Sequence, residues 1–491
     1  MVALAAMAAL TDAAAARQAR PAPPTEATAP REAGEPIMAI VSIKSQQVTF
    51  YDADGWILRA PVSTGTTGRE TPAGVFAVIE KDKDHHSTLY DDAWMPNMQR
   101  ITWNGVALHG GPLPGYAASH GCVRMPFGFA EKLFEKTWIG MRVIISPENA
   151  EPVEFSHPAL FVPKAEAIAA APARAEALAR EAAETARAAD EAKKAAASAP
   201  RETASLTASL RKLEGLKTRA GAELATADRA IAVAKTDEAK ARAEDLKQKA
   251  TAKAADLVTQ LDAARADAKP KLDAAAAAKD AAKAAATRKA DTAKAAIEAK
   301  LALEPASIFI SRATQKLYVR RNTHKPAPDG GGEVFDTTIE VPVTIRNPER
   351  PIGTHVFTAV ARSNDGALRW TAVTIDNADN AKAALDRIII PQEVLDRIAP
   401  TALPRSSIVV SDEPLSSETN YRTEFVAVLS NQPQGGFITR KPTPAVEVAS
   451  RNGDDFFGFF FQRTPEPQPQ TRNARPRGGQ SYWPGQPQPG W

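Results

Sequence analysis

Ser119-His120-Gly121-Cys122-Val123-Arg124-Met125 holds the one cysteine of this 491-residue chain. A lone cysteine has no intramolecular disulfide partner. A buried structural cysteine needs neither a histidine nor a glycine beside it. A nucleophilic cysteine needs a base to form the thiolate and a tight turn that presents sulfur and N–H groups together. His109, in Leu108-His109-Gly110-Gly111, is the candidate base. It lies too far upstream for contact within one turn, but such contact is natural across a sheet. Gly110 and Gly111 let a backbone carbonyl approach the imidazole and fix its tautomer, the task an Asp or Asn performs in other triads. Gly121 permits a sharp turn before the nucleophile, so that the N–H groups of Gly121 and Cys122 face a developing oxyanion. Ser119 and His120 support this loop, His120 either lining the pocket or bonding within it. Arg124 suits a substrate carboxylate through a bidentate pair. The chemistry indicated is acyl transfer through a thioester. Zinc at His109, His120 and Cys122 would lack an evident fourth ligand. His85 and His86, beside Asp82, Lys83 and Asp84, read as a solvated loop. No metal and no cofactor is expected.

Working outward, residues 37–148 carry short apolar runs such as Ile40-Val41-Ser42-Ile43, Val75-Phe76-Ala77-Val78-Ile79 and Val143-Ile144-Ile145. Asp54-Gly55 between two such runs signals a hairpin. Only 127–137 reads as a helix, with Phe129, Leu133 and Phe134 on one face. This is a mainly β domain. Residues 18–36, rich in Pro, Ala, Arg and Glu, read as a linker. Residues 163–304 are built of Ala, Lys, Glu, Arg and Asp, strong helix formers for the most part. Pro200 and Pro270 suit the first turns of new helices and divide this arm into three pieces. Leu206, Leu210 and Leu213 keep a 3-and-4 spacing, but the heptads are broken and filled by Ala. Long helices or a thin antiparallel coiled coil fit, serving as a spacer or a partner-binding arm. Short β runs return over 305–430. Residues 431–491, rich in Pro, Gln, Arg and Gly, read as a disordered tail that contains the aromatic run 456–461.

The second β region parallels the first. Arg59-Ala60-Pro61-Val62-Ser63 matches Glu340-Val341-Pro342-Val343-Thr344, and Thr71-Pro72-Ala73-Gly74 matches Arg350-Pro351-Ile352-Gly353. The interval from Met125-Pro126 to Ser146 equals that from Ile390-Pro391 to Ser411. In this register Cys122 falls on Arg387, Gly121 on Asp386 and His120 on Leu385. The second copy keeps the frame and loses the nucleophile.

The net charge of +3 gives no case for nucleic acid as a partner. No segment has the length of apolar sequence that a membrane span needs. Residues 1–17 have the apolar and small-residue pattern of a secretory signal without its positive start, as if truncated at an internal Met. Export to the periplasm or cell envelope is the expectation.

His109-Gly110 followed by Ser119-His120-Gly121-Cys122-Val123-Arg124-Met125 resembles the active-site signature of the L,D-transpeptidase (YkuD) catalytic domain. Val62-Ser63-Thr64-Gly65 and Thr71-Pro72-Ala73-Gly74 also look like that family. The resemblance implies a β-rich YkuD-like fold over 37–148 and, by the register above, a degenerate YkuD-like domain over 305–430. It implies an exported enzyme acting on peptidoglycan stem peptides, with Cys122 as nucleophile and His109 as proton donor and acceptor. The thiol would take the acyl group of the third residue and release the terminal D-Ala. An amine acceptor would then give a 3→3 cross-link, or attach an envelope or outer-membrane protein to the wall. The alternatives are an L,D-carboxypeptidase-type hydrolase on the same site and a peptidoglycan-binding tether.

Overall fold

The computed structural model describes residues 25–90, 92–328 and 332–438. The leader expected at 1–17 and the aromatic run 456–461 lie outside the described residues. In chain order the first half supplies β1 (Ala27–Thr28), β2 (Met38–Ser42), β3 (Gln47–Asp52), β4 (Gly55–Pro61), β5 (Gly74–Ala77), β6 (Glu80–His86), β7 (Trp94–Arg100), β8 (Ala107–Gly110), β9 (Val123–Met125), α1 (Phe127–Phe134), β10 (Arg142–Ser146) and β11 (Val153–Phe155). The helices α2 (Ala165–Val233) and α3 (Asp237–Leu301) follow. The second half supplies β12 (Ser307–Ser311), β13 (Lys316–Pro326), β14 (Glu333–Pro342), β15 (Thr344–Ile345), β16 (Thr354–Arg362), β17 (Leu368–Asp376), α4 (Ala381–Asp386), β18 (Ile388–Ile389), α5 (Gln392–Ile398), β19 (Ser407–Ser411), β20 (Ala427–Val428) and α6 (Gly435–Ile438).

Two large sheets form, ordered β1-β4-β3-β2-β10-β5-β20 and β11-β17-β16-β19-β12-β13-β14. Each contains one parallel pair, β2 with β10 and β12 with β19. The apolar run in β2 is explained by burial on both faces. Ala39 and Val41 enter the core of the first half, while Met38 and Ile40 face the second sheet. There they share a core with Val75, Ile144, Phe309, Val356, Val409 and Phe425. The sheets also exchange strands. β11 pairs with β17 (Val153↔Ala372), and β20 pairs with β5 (Ala427↔Val75). Positions 148 and 430 are therefore not structural boundaries. Arg142 of β10 strengthens the join, donating to the Phe425 carbonyl at 3.0 Å and pairing with Glu424.

Three sequence expectations need correction. The stretch read as a linker is, from residue 25, tied to the first sheet: β1 pairs with β4, and Arg31 Nη1 donates to Asp52 Oδ2 at 2.8 Å. The tail expected from 431 begins as packed chain, with Gly436 buried beside the first half. The helical arm has two helices rather than three, and Pro172, Pro200 and Pro270 lie inside them. An interior proline costs about 3 kcal/mol. Two helices packed along their length offset that cost. They run antiparallel, as the pairs Glu214–Arg265, Glu223–Lys253 and Asp228–Lys247 show. Ala189, Ala220, Ala227, Ala243 and Ala250 are buried, and small side chains let the helices approach closely. The break falls instead before Thr236, whose hydroxyl caps α3 by accepting from Ala239 N–H at 3.3 Å. Asp237 and Glu238 in the first turn favour the same start. Among the described residues, no helix is long and apolar enough to cross a membrane.

One buried histidine gives the second half a pH dependence. His355 is wholly buried; its Nε2 donates to the Ile352 carbonyl at 3.0 Å, and its Nδ1 accepts from Thr374 Oγ1 at 2.9 Å. Burial holds its pKa below the usual value, outweighing the carbonyl and the nearby Asp376, Asp379 and Asp412. The unfolded chain therefore takes up a proton that the folded chain refuses. His355 is expected to cost stability as pH falls below about 6.5, by at most about 1.4 kcal/mol per pH unit, until its folded pKa is reached. Urea unfolding of wild type and His355→Gln between pH 7.5 and 5.5 checks this. Equal slopes for the two chains would refute it.

Candidate active site

The site is built on the small sheet β6-β7-β8-β9. β8 and β9 are parallel neighbours, pairing Leu108 with Val123, His109 with Arg124 and Gly110 with Met125. Leu108, Val123 and Met125 point into the hydrophobic core. Strand alternation then turns His109 and Arg124 to the opposite face. Cys122 leads directly into β9 and lies on that same face, packed with Ala107, Met95 and Met98. The structure thus brings His109, Cys122 and Arg124 together, although nothing local in the sequence links the first to the other two.

His109 is 7% exposed, and its Nδ1 lies 2.9 Å from the Gly110 carbonyl oxygen. A carbonyl only accepts, so Nδ1 carries the proton and Nε2 is the basic nitrogen. This is the tautomer a general base needs. The Cys122 thiol is 6% exposed and donates to the Gly105 carbonyl at 3.6 Å. Arg124 is half-buried, its aliphatic stem passing over Gly111. Among the described residues its guanidinium makes no ion pair.

The 119–122 turn is held from several sides. Gly121 has φ +113°, a backbone conformation closed to other residues without strain. Ser119 Oγ accepts from Gly121 N–H at 3.2 Å and donates to the Cys122 carbonyl. One of the two N–H groups expected to face an oxyanion is therefore engaged within the loop. Thr71 Oγ1 donates to the Gly121 carbonyl at 2.9 Å and accepts from Gly65 N–H at 2.8 Å. Ser63 and Arg124 exchange backbone bonds, each of 3.0 Å. Gln46 closes the back, accepting from Thr64 N–H at 2.9 Å and donating to the Ile43 carbonyl at 2.7 Å. The His120 ring lies against Tyr90, with centroids 4.9 Å apart. His85 and His86 are engaged locally, with Asp82 Oδ2 at 3.0 Å and the Asp92 carbonyl at 3.0 Å.

Residues 36–145 match the YkuD family, the L,D-transpeptidase catalytic domain. The YkuD match covers less than a quarter of the chain. No curated protein matches the chain. Among solved structures, an L,D-transpeptidase from Mycobacterium smegmatis is 20% identical, aligned over 23% of this chain and 59% of its own, with a TM-score of 0.22. One from Xylanimonas cellulosilytica is 25% identical over 24% of this chain and 62% of its own, with a TM-score of 0.21. The catalytic domain of an Enterococcus faecium L,D-transpeptidase is 25% identical over 23% of this chain and 99% of its own, with a TM-score of 0.20. The chain thus spans 59% of the M. smegmatis relative's length. Within the YkuD domain, Ser63, Thr71 and Gln46 escaped the site reading of the sequence. Ser63 and Thr71 belonged to stretches that resembled the family, but their contacts with Arg124 and Gly121 depend on chain crossings that no spacing displays.

Proposed function

We propose that the YkuD domain is an exported cysteine L,D-transpeptidase acting on peptidoglycan stem peptides. The observation that carries the reading is the shared face of β8 and β9, with His109 Nδ1 pinned to a carbonyl and Nε2 left basic. His109 takes the Cys122 proton, and the thiolate attacks the acyl carbon of the third stem residue. The Cys122 N–H is the oxyanion donor, since Gly121 N–H is already engaged. Collapse of the tetrahedral intermediate breaks the amide bond, and His109 returns the proton to the leaving D-Ala amine. An amine acceptor attacks the thioester, regenerates the thiol and forms a 3→3 cross-link or an attachment to an envelope protein. Arg124 pairs with the substrate carboxylate. The site lies in the periplasm or cell envelope, and the helical arm is a spacer, about 100 Å long at 1.5 Å per residue.

The second sheet is the degenerate copy. Its order β14-β13-β12-β19-β16 repeats β4-β3-β2-β10-β5, with the same parallel central pair. The Ser63–Arg124 bridge has its counterpart in Thr344↔Ile389. That register sets Arg387 where Cys122 stands. The guanidinium there braces the loop instead of reacting. It bonds to the carbonyls of Arg346, Asn347, Arg350 and Pro351 and to Asp379. This repetition favours a second reading, a wall-binding tether whose activity is incidental.

The test is mass spectrometry of the chain incubated with disaccharide-tetrapeptide muropeptides. A Cys122-dependent dimer with loss of D-Ala is the expected product. A tripeptide without dimer would replace the transferase by the hydrolase. No product would leave the tether.

A further inference from the structure

The stretch after β20 does more than close the first sheet. Leu429 N–H donates to the Ala73 carbonyl at 3.0 Å, and the chain then runs to the turn that carries Cys122. Gly436 N–H donates to the Glu70 carbonyl at 2.9 Å, and Gly435 N–H to Glu70 Oε2 at 3.2 Å. Gly436 and Gly121 meet backbone to backbone. A Cβ on Gly436 would stand 2.6 Å from Gly121 Cα, and one on Gly121 would stand 2.9 Å from Gly436 Cα. At the other end, the Phe437 carbonyl accepts from Asn104 Nδ2 at 2.5 Å. Asn104 directly precedes Gly105, whose carbonyl receives the Cys122 thiol. Upstream, Glu418 Oε2 accepts from Trp103 N–H at 2.5 Å, and the Arg422 guanidinium lies over the Trp103 ring, 4.5 Å from its centroid.

We infer that residues 429–437, which belong to the second half of the chain, are a positioning clamp for Cys122. They set the gap between the 119–122 turn, which presents the sulfur, and the 102–105 loop, whose carbonyl holds the thiol. The physical need is plain. Ser119 and Thr71 tie the turn to the first half, but its central glycine, at φ +113°, has no side chain to fill the space outside it, so the chain packed there limits how far the turn can shift. A misplacement of about 1 Å at a reacting group can cost about 100-fold in rate. The strand exchange through β20 delivers the clamp, and this gives the second sheet a task at the first sheet's site.

The inference rests on the acyl-transfer reading for its kinetic readout only. The full-length chain is compared with Asn104→Ala, Asn104→Asp and Gly436→Ala. A carboxylate cannot donate, so Asn104→Asp removes the bond and keeps the shape. Each chain is followed by muropeptide kcat and KM, by the rate of Cys122 alkylation with iodoacetamide, and by its unfolding midpoint. The expected result is a kcat lower by at least about tenfold, with KM within about twofold. The alkylation rate should change by at least about threefold, because the clamp sets thiol access and environment, with the midpoint little moved. Folded variants with kcat and alkylation rate within about twofold of wild type would overturn the clamp. If Gly436→Ala fails to fold, the two Asn104 variants decide. If wild type shows no Cys122-dependent turnover, the functional reading fails, and the alkylation rates still judge the clamp.

Discussion

Cys122→Ala is expected to abolish the reaction with muropeptides, lowering turnover by at least about a thousandfold. Alanine cannot form the acyl intermediate, and the remaining groups only bind and polarise. Cys122 is small and packed among Met95, Met98 and Ala107, so its truncation leaves little void and the fold should survive. His109→Ala should lower turnover by about 100-fold to about 10,000-fold, the range of a positioned acid–base group. Its loss acts on the rate through the proton. Mass spectrometry of the products, with circular dichroism to confirm folding, checks both. Normal turnover in a folded Cys122→Ala chain would remove the assigned nucleophile. Normal turnover in His109→Ala would remove the base and leave the cysteine standing.

Arg387→Ala should have the largest effect on stability, about 3 kcal/mol or more. The Arg387 side chain is 9% exposed and that of Asp379 is 4% exposed. Arg387 Nη1 reaches Asp379 Oδ2 at 2.6 Å, while the other donors satisfy four backbone carbonyls of the 346–351 segment. Truncation leaves a buried carboxylate with one fewer cation, although Arg350 still pairs with it from the solvent side. It also leaves carbonyls without donors, and each buried unsatisfied group is costly. Arg387 holds the Asp379 carboxyl below its ordinary range, followed in effect by Arg350. Without Arg387 that pKa should rise. Because the two sheets share one core, the loss should unfold both halves in a single transition. Urea unfolding measured on wild type and Arg387→Ala checks this. A loss below about 1 kcal/mol would show that the brace contributes little.

The features legible from residues alone came from chemical context and spacing. Ser119-His120-Gly121-Cys122 pointed to a cysteine on a tight turn, which is the geometry found, and to the nucleophile proposed for it. The apolar run Ile40-Val41-Ser42-Ile43 indicated a strand, found over Met38–Ser42, and its lack of alternation follows from burial on both faces. The equal intervals after Met125 and Ile390 motivated the proposed second copy, and each interval ends on a strand of a parallel central pair. The arm was legible as helix from Ala, Lys and Glu, but the prolines misled. A proline penalty of a few kcal/mol looks decisive along one chain and is not decisive beside a packed neighbour. Tertiary structure alone decided which sheet receives β11 and β20 and what lies against Gly121. Each of these depends on burial summed over both sheets. Ala427 joins β5 because Phe425 and Leu429 enter a core built from residues on both sides of the arm. No window of sequence contains that sum, so Glu70, Asn104 and Gly436 could not be read as neighbours of the cysteine until the chain had folded.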